Sequence, residues 1–511
     1  MLFHTWPFLV FFAVVMAVYL PIRRFDRARN LWLLAASYFF YGYWNPLFLV
    51  LIVYSTLLDY WVVLAMERRG RSRGWLVVSI VNNLWLLGLF KYGDFVVENL
   101  NAGLAAVSAG YQLPEMGLLL PVGISFFTFQ SMSYTIDYYR GQLKAEHDVV
   151  RFAAFVSLFP QLVAGPIERA RNLLPQLTGT PDIRRRDVTS GASLFLVGLF
   201  KKVALADFLG AYVTPMYNAP EDYSGLALVL GTFAFGWQIY FDFSGYTDMA
   251  RGIAKAMGFN LMLNFRNPYT ATSLGDFWSR WHISLSTWFK EYVYIPLGGN
   301  RTSKLLAWMH SDHLKKHLGT YLNMLVTMLV SGLWHGANWA FVAWGALHAG
   351  GSMTTRELER SRLYRDRVPK LVKQLAVFAF VTFTWIFFRA GTAGGPSTAV
   401  TVIGRIFSPS SWRLPTVDYT QGASMIGHAA TWLTTVLNPA SYEVPGTVAG
   451  DVPRVLLVMV LAVWAYQLVW ESRRRRLVDN APVKIILAVA MILYLSLVPT
   501  AGTQAFIYFQ F

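Results

Sequence analysis

The stretch Ser331-Gly-Leu-Trp334-His335-Gly-Ala-Asn338-Trp339 sets one histidine in an otherwise apolar run, with glycines on either side and polar residues one turn away. Histidine is the side chain whose ordinary pKa suits proton transfer near neutrality. A lone histidine in an apolar helix can equally be a packing residue. Here Gly332 and Gly336 predict a break in the helix, and Ser331 and Asn338 fall within reach of the same face. His335 is therefore the first candidate for acid–base or nucleophilic chemistry. A second histidine, His282, stands in Trp278-Ser-Arg-Trp-His282-Ile-Ser284, where aromatic and charged residues alternate.

Polar side chains inside apolar runs form two further groups. Gln238, Tyr240, Asp242, Ser244, Tyr246, Thr247 and Asp248 lie close together. At helical spacing Tyr240, Ser244 and Asp248 share a face, while Asp242 lies one turn before Tyr246. Gln130, Tyr134 and Asp137 repeat the pattern on a smaller scale. Ionisable groups in a bilayer cost about 2.5 to 3.5 kcal/mol at a helix centre, so such seams face protein or water. They read either as glue between helices or as the wall of a substrate tunnel. His310, His313 and His317 have metal-ligand spacing, but Lys315 and Lys316 beside them disfavour a cation, so no metal is expected. The chain has no cysteine, which excludes an acyl-thioester on its own side chains.

The elements that must carry these residues are membrane helices. The sequence is 55% hydrophobic and only 14% charged, against roughly a quarter charged in soluble chains. Apolar runs at residues 8–20, 47–66, 75–90, 455–470 and 485–498 approach the ~20 residues that cross a bilayer core. The net charge of +16 is spread over short loops such as Arg23-Arg24, Arg68-Arg69 and the arginines at 473–476. That distribution marks cytoplasmic loops and argues against a nucleic-acid face.

Placing the basic loops inside predicts crossings at residues 30–44, 46–66, 75–92, 121–139, 191–212, 226–249 and 371–388. The first apolar run lacks a basic leader and reads as a retained helix. Residues 93–117, free of lysine and arginine, read as an external loop. The short stretch 152–167, broken by prolines and glycine, reads as re-entrant or surface-lying. Residues 273–304 read as an in-plane interfacial segment anchored by tryptophans. Residues 321–349 have basic flanks at both ends and predict a hairpin reversing at 331–338. The expectation is an all-α polytopic membrane protein, a single domain over 1–511. It has roughly ten transmembrane helices plus re-entrant and in-plane pieces around a tunnel. Residues 391–452 read as an extracytoplasmic or interfacial insertion.

Five motifs in order, Pro121-Val-Gly-Ile-Ser-Phe-Phe-Thr-Phe-Gln130, Phe159-Pro-Gln-Leu-Val-Ala-Gly-Pro-Ile167, Tyr240-Phe-Asp-Phe-Ser-Gly-Tyr-Thr-Asp248, Phe277-Trp-Ser-Arg-Trp-His-Ile-Ser-Leu-Ser286 and Ser331-Gly-Leu-Trp-His-Gly336, resemble the membrane-bound O-acyltransferase family. The ending Phe506-Ile-Tyr-Phe-Gln-Phe511 is similar too. Within the family they are most similar to membrane subunits that O-acetylate bacterial alginate, with relatives in cellulose acetylation and teichoic acid D-alanylation. The resemblance implies that His335 is the catalytic histidine and His282 the second signature histidine. Tyr240, Asp242, Ser244, Asp248, Gln130, Trp334, Asn338 and Ser331 would line the substrate path.

It also implies acetyl-CoA as donor and a polysaccharide as final acceptor, reached through a periplasmic SGNH-type acetyltransferase partner. The location it implies is the bacterial inner membrane. Two other readings stay open at this point: an acyltransferase acting on a lipid or secreted protein, and a non-enzymatic transporter. Secondary transporters tend to carry internal repeats, and none stands out in the sequence.

Overall fold

The computed structural model describes residues 1–107, 110–300, 312–412, 452–497 and 506–507; within these, the side chains of 312–317 and 452–456 are left aside. Among the described residues the chain is helical and contains no strand. Four helices among the described residues are long and apolar enough to cross a bilayer, Phe48–Arg69, Arg73–Ala106, Gly225–Ala256 and Lys370–Ala390, and shorter apolar helices accompany them. The histidine triplet expected not to bind metal lies outside the described residues or side chains, as do residues 413–451 of the expected insertion.

The chain divides into two compact units, Met1–Gly198 with Tyr246–Asn264, and Leu199–Gly245 with Phe265–Phe511. The first unit is built from α1 (Trp6–Ile22), α2 (Asp26–Gly42), α3 (Phe48–Arg69), α4 (Arg73–Ala106), α5 (Ile124–Tyr139) and α6 (Val149–Ser157). Phe8, Phe11, Phe40 and Phe159 interlock at its centre, with Phe159 edge-on to Phe11 at 5.3 Å. Arg29 of α2 is fully buried and donates to the Leu177 carbonyl at 2.5 Å and to Gly179. Those carbonyls give the guanidinium the partners that burial of a charge demands.

Two features of this unit differ from expectation. α4 does not stop at residue 92 but runs 34 residues to Ala106. Val96, Val97, Leu100 and Leu104 continue its apolar spacing, and Asp94 and Asn101 hold the returning chain. Asp94 accepts from the Met116 N–H at 2.7 Å, and Asn101 exchanges two hydrogen bonds with Leu113. The stretch 152–167 is buried throughout, so its non-helical break after Ser157 is shielded by protein rather than spread on a surface.

The second unit contains α7 in its last turn (Arg185–Phe200 as a whole), α8 (Asp207–Asn218), most of α9 (Gly225–Ala256), and the short α10 (Leu274–Trp278) and α11 (Ile283–Phe289). It continues through α12 (Asp312–His335), α13 (Trp339–Arg360), α14 (Lys370–Ala390), α15 (Pro396–Phe407), α16 (Val452–Trp470) and α17 (Ala481–Leu497). Its core is aromatic: Trp237, Tyr240, Tyr269, Trp281, Trp344 and Trp385 are all buried. The expected in-plane segment does form short helices. Trp281 and Trp288, however, are buried rather than set out as interfacial anchors, because Trp281 packs on Phe265 at 5.0 Å and Trp385 at 5.1 Å. Burying 150–250 Å² of each indole in this core outweighs leaving it at a lipid boundary.

Candidate active site

α12 and α13 form the expected hairpin, and small residues decide how close they come. A methyl group on Gly332 would lie 2.3 Å from the Phe341 carbonyl oxygen, and one on Gly345 would lie 2.4 Å from that of Met328. The helices touch backbone to backbone, the contact that replaces hydrophobic drive inside a bilayer. Gly332 thus serves packing, and the break comes after His335. Gly336 is required there because its Cβ would strike the Phe341 ring at 2.2 Å. Asn338 then starts α13, its Oδ1 accepting the Ala340 N–H at 2.9 Å. That capping bond gives Asn338 a structural task.

His335, the last residue of α12, is only 2% exposed and is enclosed by rings. Trp334 and Trp344 lie 5.0 Å from it and Phe388 lies 5.1 Å away, the latter two edge-on at 85° and 68°. Trp344 continues to His348 at 4.6 Å, whose Nε2 is 2.9 Å from the Thr384 hydroxyl. His348 escaped sequence reasoning. Its only signal is the four-residue spacing from Trp344 on α13, which is common to many helix faces.

His282 approaches the same rings from another element. Its backbone is left-handed, φ 41° and ψ 54°, a conformation that among the described non-glycine residues only Asn267 shares. Such backbone costs a bulky residue of order 1–3 kcal/mol and persists where the surroundings enforce it, often at functional sites. The His282 ring meets Phe243 edge-on at 4.6 Å and Trp334 at 5.9 Å. Trp334 therefore has both imidazoles as ring neighbours. His282 lies outside the membrane-spanning helices, and burial pushes its imidazole down to about 3, so it is neutral near pH 7.

A cavity of about 420 Å³ is lined by residues of the same elements. Its wall includes Ser331, one turn before His335, and Ile283, the residue after His282. Trp278, Phe289, Met324 and Met328 make most of the remaining wall apolar, and the Lys290 and Arg356 side chains bring positive charge to it. Arg356 is tied to Asn300 Oδ1 at 2.9 Å, which also accepts from the Tyr294 hydroxyl at 2.7 Å. A largely apolar slot with a cationic lining suits a long, mostly apolar ligand that carries anionic groups.

Residues 141–390, which contain both histidines and the cavity wall, match the model of the MBOAT, membrane-bound O-acyltransferase family. The relative "Probable alginate O-acetylase AlgI" of Azotobacter vinelandii is 41% identical over 410 residues, 78% of this chain and 77% of the relative. The chain belongs to the membrane-bound O-acyltransferase family. A second "Probable alginate O-acetylase AlgI", from Pseudomonas putida, is 37% identical over 495 residues, 95% of each chain. The "Peptidoglycan O-acetyltransferase" of Helicobacter pylori is 35% identical over 391 residues, 71% of each. As a member of this family the protein is a membrane-bound acyltransferase.

Against this candidate site the other predicted residues sort as follows. Ser331 and Trp334 stand at the site itself. Tyr240 belongs to the aromatic core, where its hydroxyl accepts from Gln467 Nε2 at 3.1 Å. Asp242 is ion-paired with Lys202 at 2.8 Å, and Ser244 is buried on the same helix. Gln130 and Asp248 belong to the first unit. There Gln130 donates to the Phe155 carbonyl at 2.7 Å, and Asp248 lies 3.6 Å from Arg251.

Proposed function

We propose that this protein moves an acetyl group from cytoplasmic acetyl-CoA across the bacterial inner membrane to hydroxyls of an extracytoplasmic polysaccharide, through a periplasmic SGNH-type acetyltransferase partner. The observation that carries the reading is the cavity, whose wall includes Ser331, one turn before His335, and Ile283, the residue after His282, and bears Lys290 and Arg356. The names of the relatives, two acting on alginate and one on peptidoglycan, favour a polysaccharide over a lipid or secreted protein.

In this reading Lys290 and Arg356 attract the donor phosphates, and the methionines with Phe289 hold the pantetheine arm away from water. His335 takes the proton of the attacking hydroxyl as the carbonyl carbon–sulfur bond breaks and the ester carbon–oxygen bond forms. The proton then passes to the leaving thiolate, which departs as free CoA. Neutral His282, kept apolar by Phe243 and Trp334, orients the reacting groups rather than supplying charge. Direct transfer and a transient acyl-imidazole on His335 both satisfy this balance, since the chain offers no thiol.

The test is transfer of radiolabelled acetyl from acetyl-CoA by the purified protein in lipid with its partner or a sugar acceptor. Labelling should vanish with His335→Ala and fall less with His282→Ala. Equal labelling in wild type and His335→Ala would remove His335 from the chemistry.

A further inference from the structure

Lys202 lies in a π-helical turn, Lys201–Ala206, which joins α7 to α8. Its ammonium is 2.8 Å from a carboxylate oxygen of Asp207 and 2.8 Å from one of Asp242, and none of the three side chains is more than 5% exposed. A π-turn displaces one residue from the regular ladder and recurs where a helix must present a particular group. Here it presents a cation between two carboxylates. Two carboxylates share that one cation, and buried carboxylates need further donors. The Ile507 backbone N–H supplies one, donating to Asp242 Oδ2 at 2.7 Å.

The bond to Ile507 seats its neighbour as well. Phe506 is 1% exposed and its ring lies 5.9 Å from that of Phe243, the residue after Asp242. Phe243 in turn stands edge-on to His282 at 4.6 Å and 83°. The left-handed backbone of His282 needs enforcement by its surroundings, and this row of rings is one side of them.

We propose that Lys202 with Asp207 and Asp242 is the seat for Phe506 and Ile507, and that Phe506, held there, is a positioning residue for His282 through Phe243. The inference rests on the reading of His282 as part of the acyl-transfer site. A seat with no bearing on the site would instead join helices and leave transfer kinetics to stability alone.

Because the chain has no cysteine, Ile507→Cys gives a single reporter that keeps the backbone N–H. Asp242→Ala leaves Lys202 paired one to one with Asp207 and so spares the interior an unmatched charge. Maleimide labelling of the reporter should be slow in the parent and roughly tenfold or more faster with Asp242→Ala, since a locally released segment exchanges far more readily. Equal labelling rates would overturn the seat.

Positioning is read from transfer by the otherwise unaltered protein. Phe506→Ala should lower kcat about tenfold with the donor KM changed less than about twofold, and Phe506→Leu should restore most of it. Phe243→Ala should act alike, and the double variant should be no slower than the worse single, since the two share one route to His282. An undiminished kcat in Phe506→Ala, or losses that multiply to about a hundredfold, would overturn the positioning role. His282→Ala separates the two failures. If it transfers at the full rate, the reading of the site is wrong; if it is impaired while the other losses multiply, only the positioning inference fails.

Discussion

Asp59 in the first unit and His335 in the second are almost equally inaccessible, 0% and 2% exposed, yet their surroundings are opposite. Asp59 sits on α3 and receives donors from two neighbouring helices: Ser79 at 2.5 Å and Asn83 at 2.9 Å from α4, and Ser131 at 2.5 Å from α5. Each donor is short and matched to a carboxylate oxygen. His335 is packed among indole and phenyl rings at a helix break, one turn from Ser331 of the cavity wall. A buried polar group ringed by matched donors joins helices. One set among rings at a helix break is placed by ring packing, one turn from the cavity-wall residue Ser331.

The sharpest way to break that contrast is to remove each group and ask what fails. His335→Ala should lower acetyl transfer by about 10²- to 10⁴-fold, the range of a general acid–base group, while the protein accumulates and melts as before. Asp59→Ala should do the reverse. Stranding its donors should cost roughly 3 kcal/mol of stability, read as a lower melting temperature in detergent, with turnover per folded molecule within about twofold. A folded Asp59→Ala protein without transfer would place the first unit in the chemistry and end the distinction.

The cavity supplies a finer test. Lys290→Ala with Arg356→Ala should raise the donor KM about tenfold and leave kcat nearly unchanged, because charge that holds the donor phosphates binds ground state and transition state alike. Titrating initial rates against acetyl-CoA measures it. A fall in kcat without a change in KM would move these side chains from donor binding to the reacting atoms.

The smallest effect concerns His282 and pH. Its folded pKa of about 3 lies below the ordinary 6.5, so below pH 6.5 the unfolded chain binds a proton that the folded chain refuses. Stability is then lost as pH falls from 6.5 toward 3, by at most about 1.4 kcal/mol per unit. His282→Gln should flatten the decline in melting temperature between pH 6.5 and 5.5 by about 1 kcal/mol equivalent. An unchanged slope would mean that the imidazole is hydrated rather than buried.

Much of the candidate site is legible in the sequence. His335 was marked by the Gly-flanked break and His282 by its aromatic motif, and the hairpin followed from the basic flanks at both ends of residues 321–349. The neighbours were not. Phe388 and Trp344 reach His335 from α14 and α13, and in an apolar sequence a ring that lines a site has the same spacing as one that faces lipid. Asp242 shows what spacing leaves open. As an ionisable residue in an apolar run it reads either as glue between helices or as a tunnel wall, and only the fold shows that Lys202, 40 positions earlier, pairs with its charge.

Composition, the placement of arginines and the helical spacing of apolar residues were enough to determine a helical membrane protein, because these are averages over whole segments and the bilayer punishes departures from them. The tertiary structure alone decided which tryptophans turn inward, that Gly332 serves contact rather than the break, and which buried polar groups are already matched. Those outcomes depend on pairs of side chains far apart in the chain, and a hydrogen bond or a ring contact is fixed by distances of a few ångströms that no spacing along one helix records.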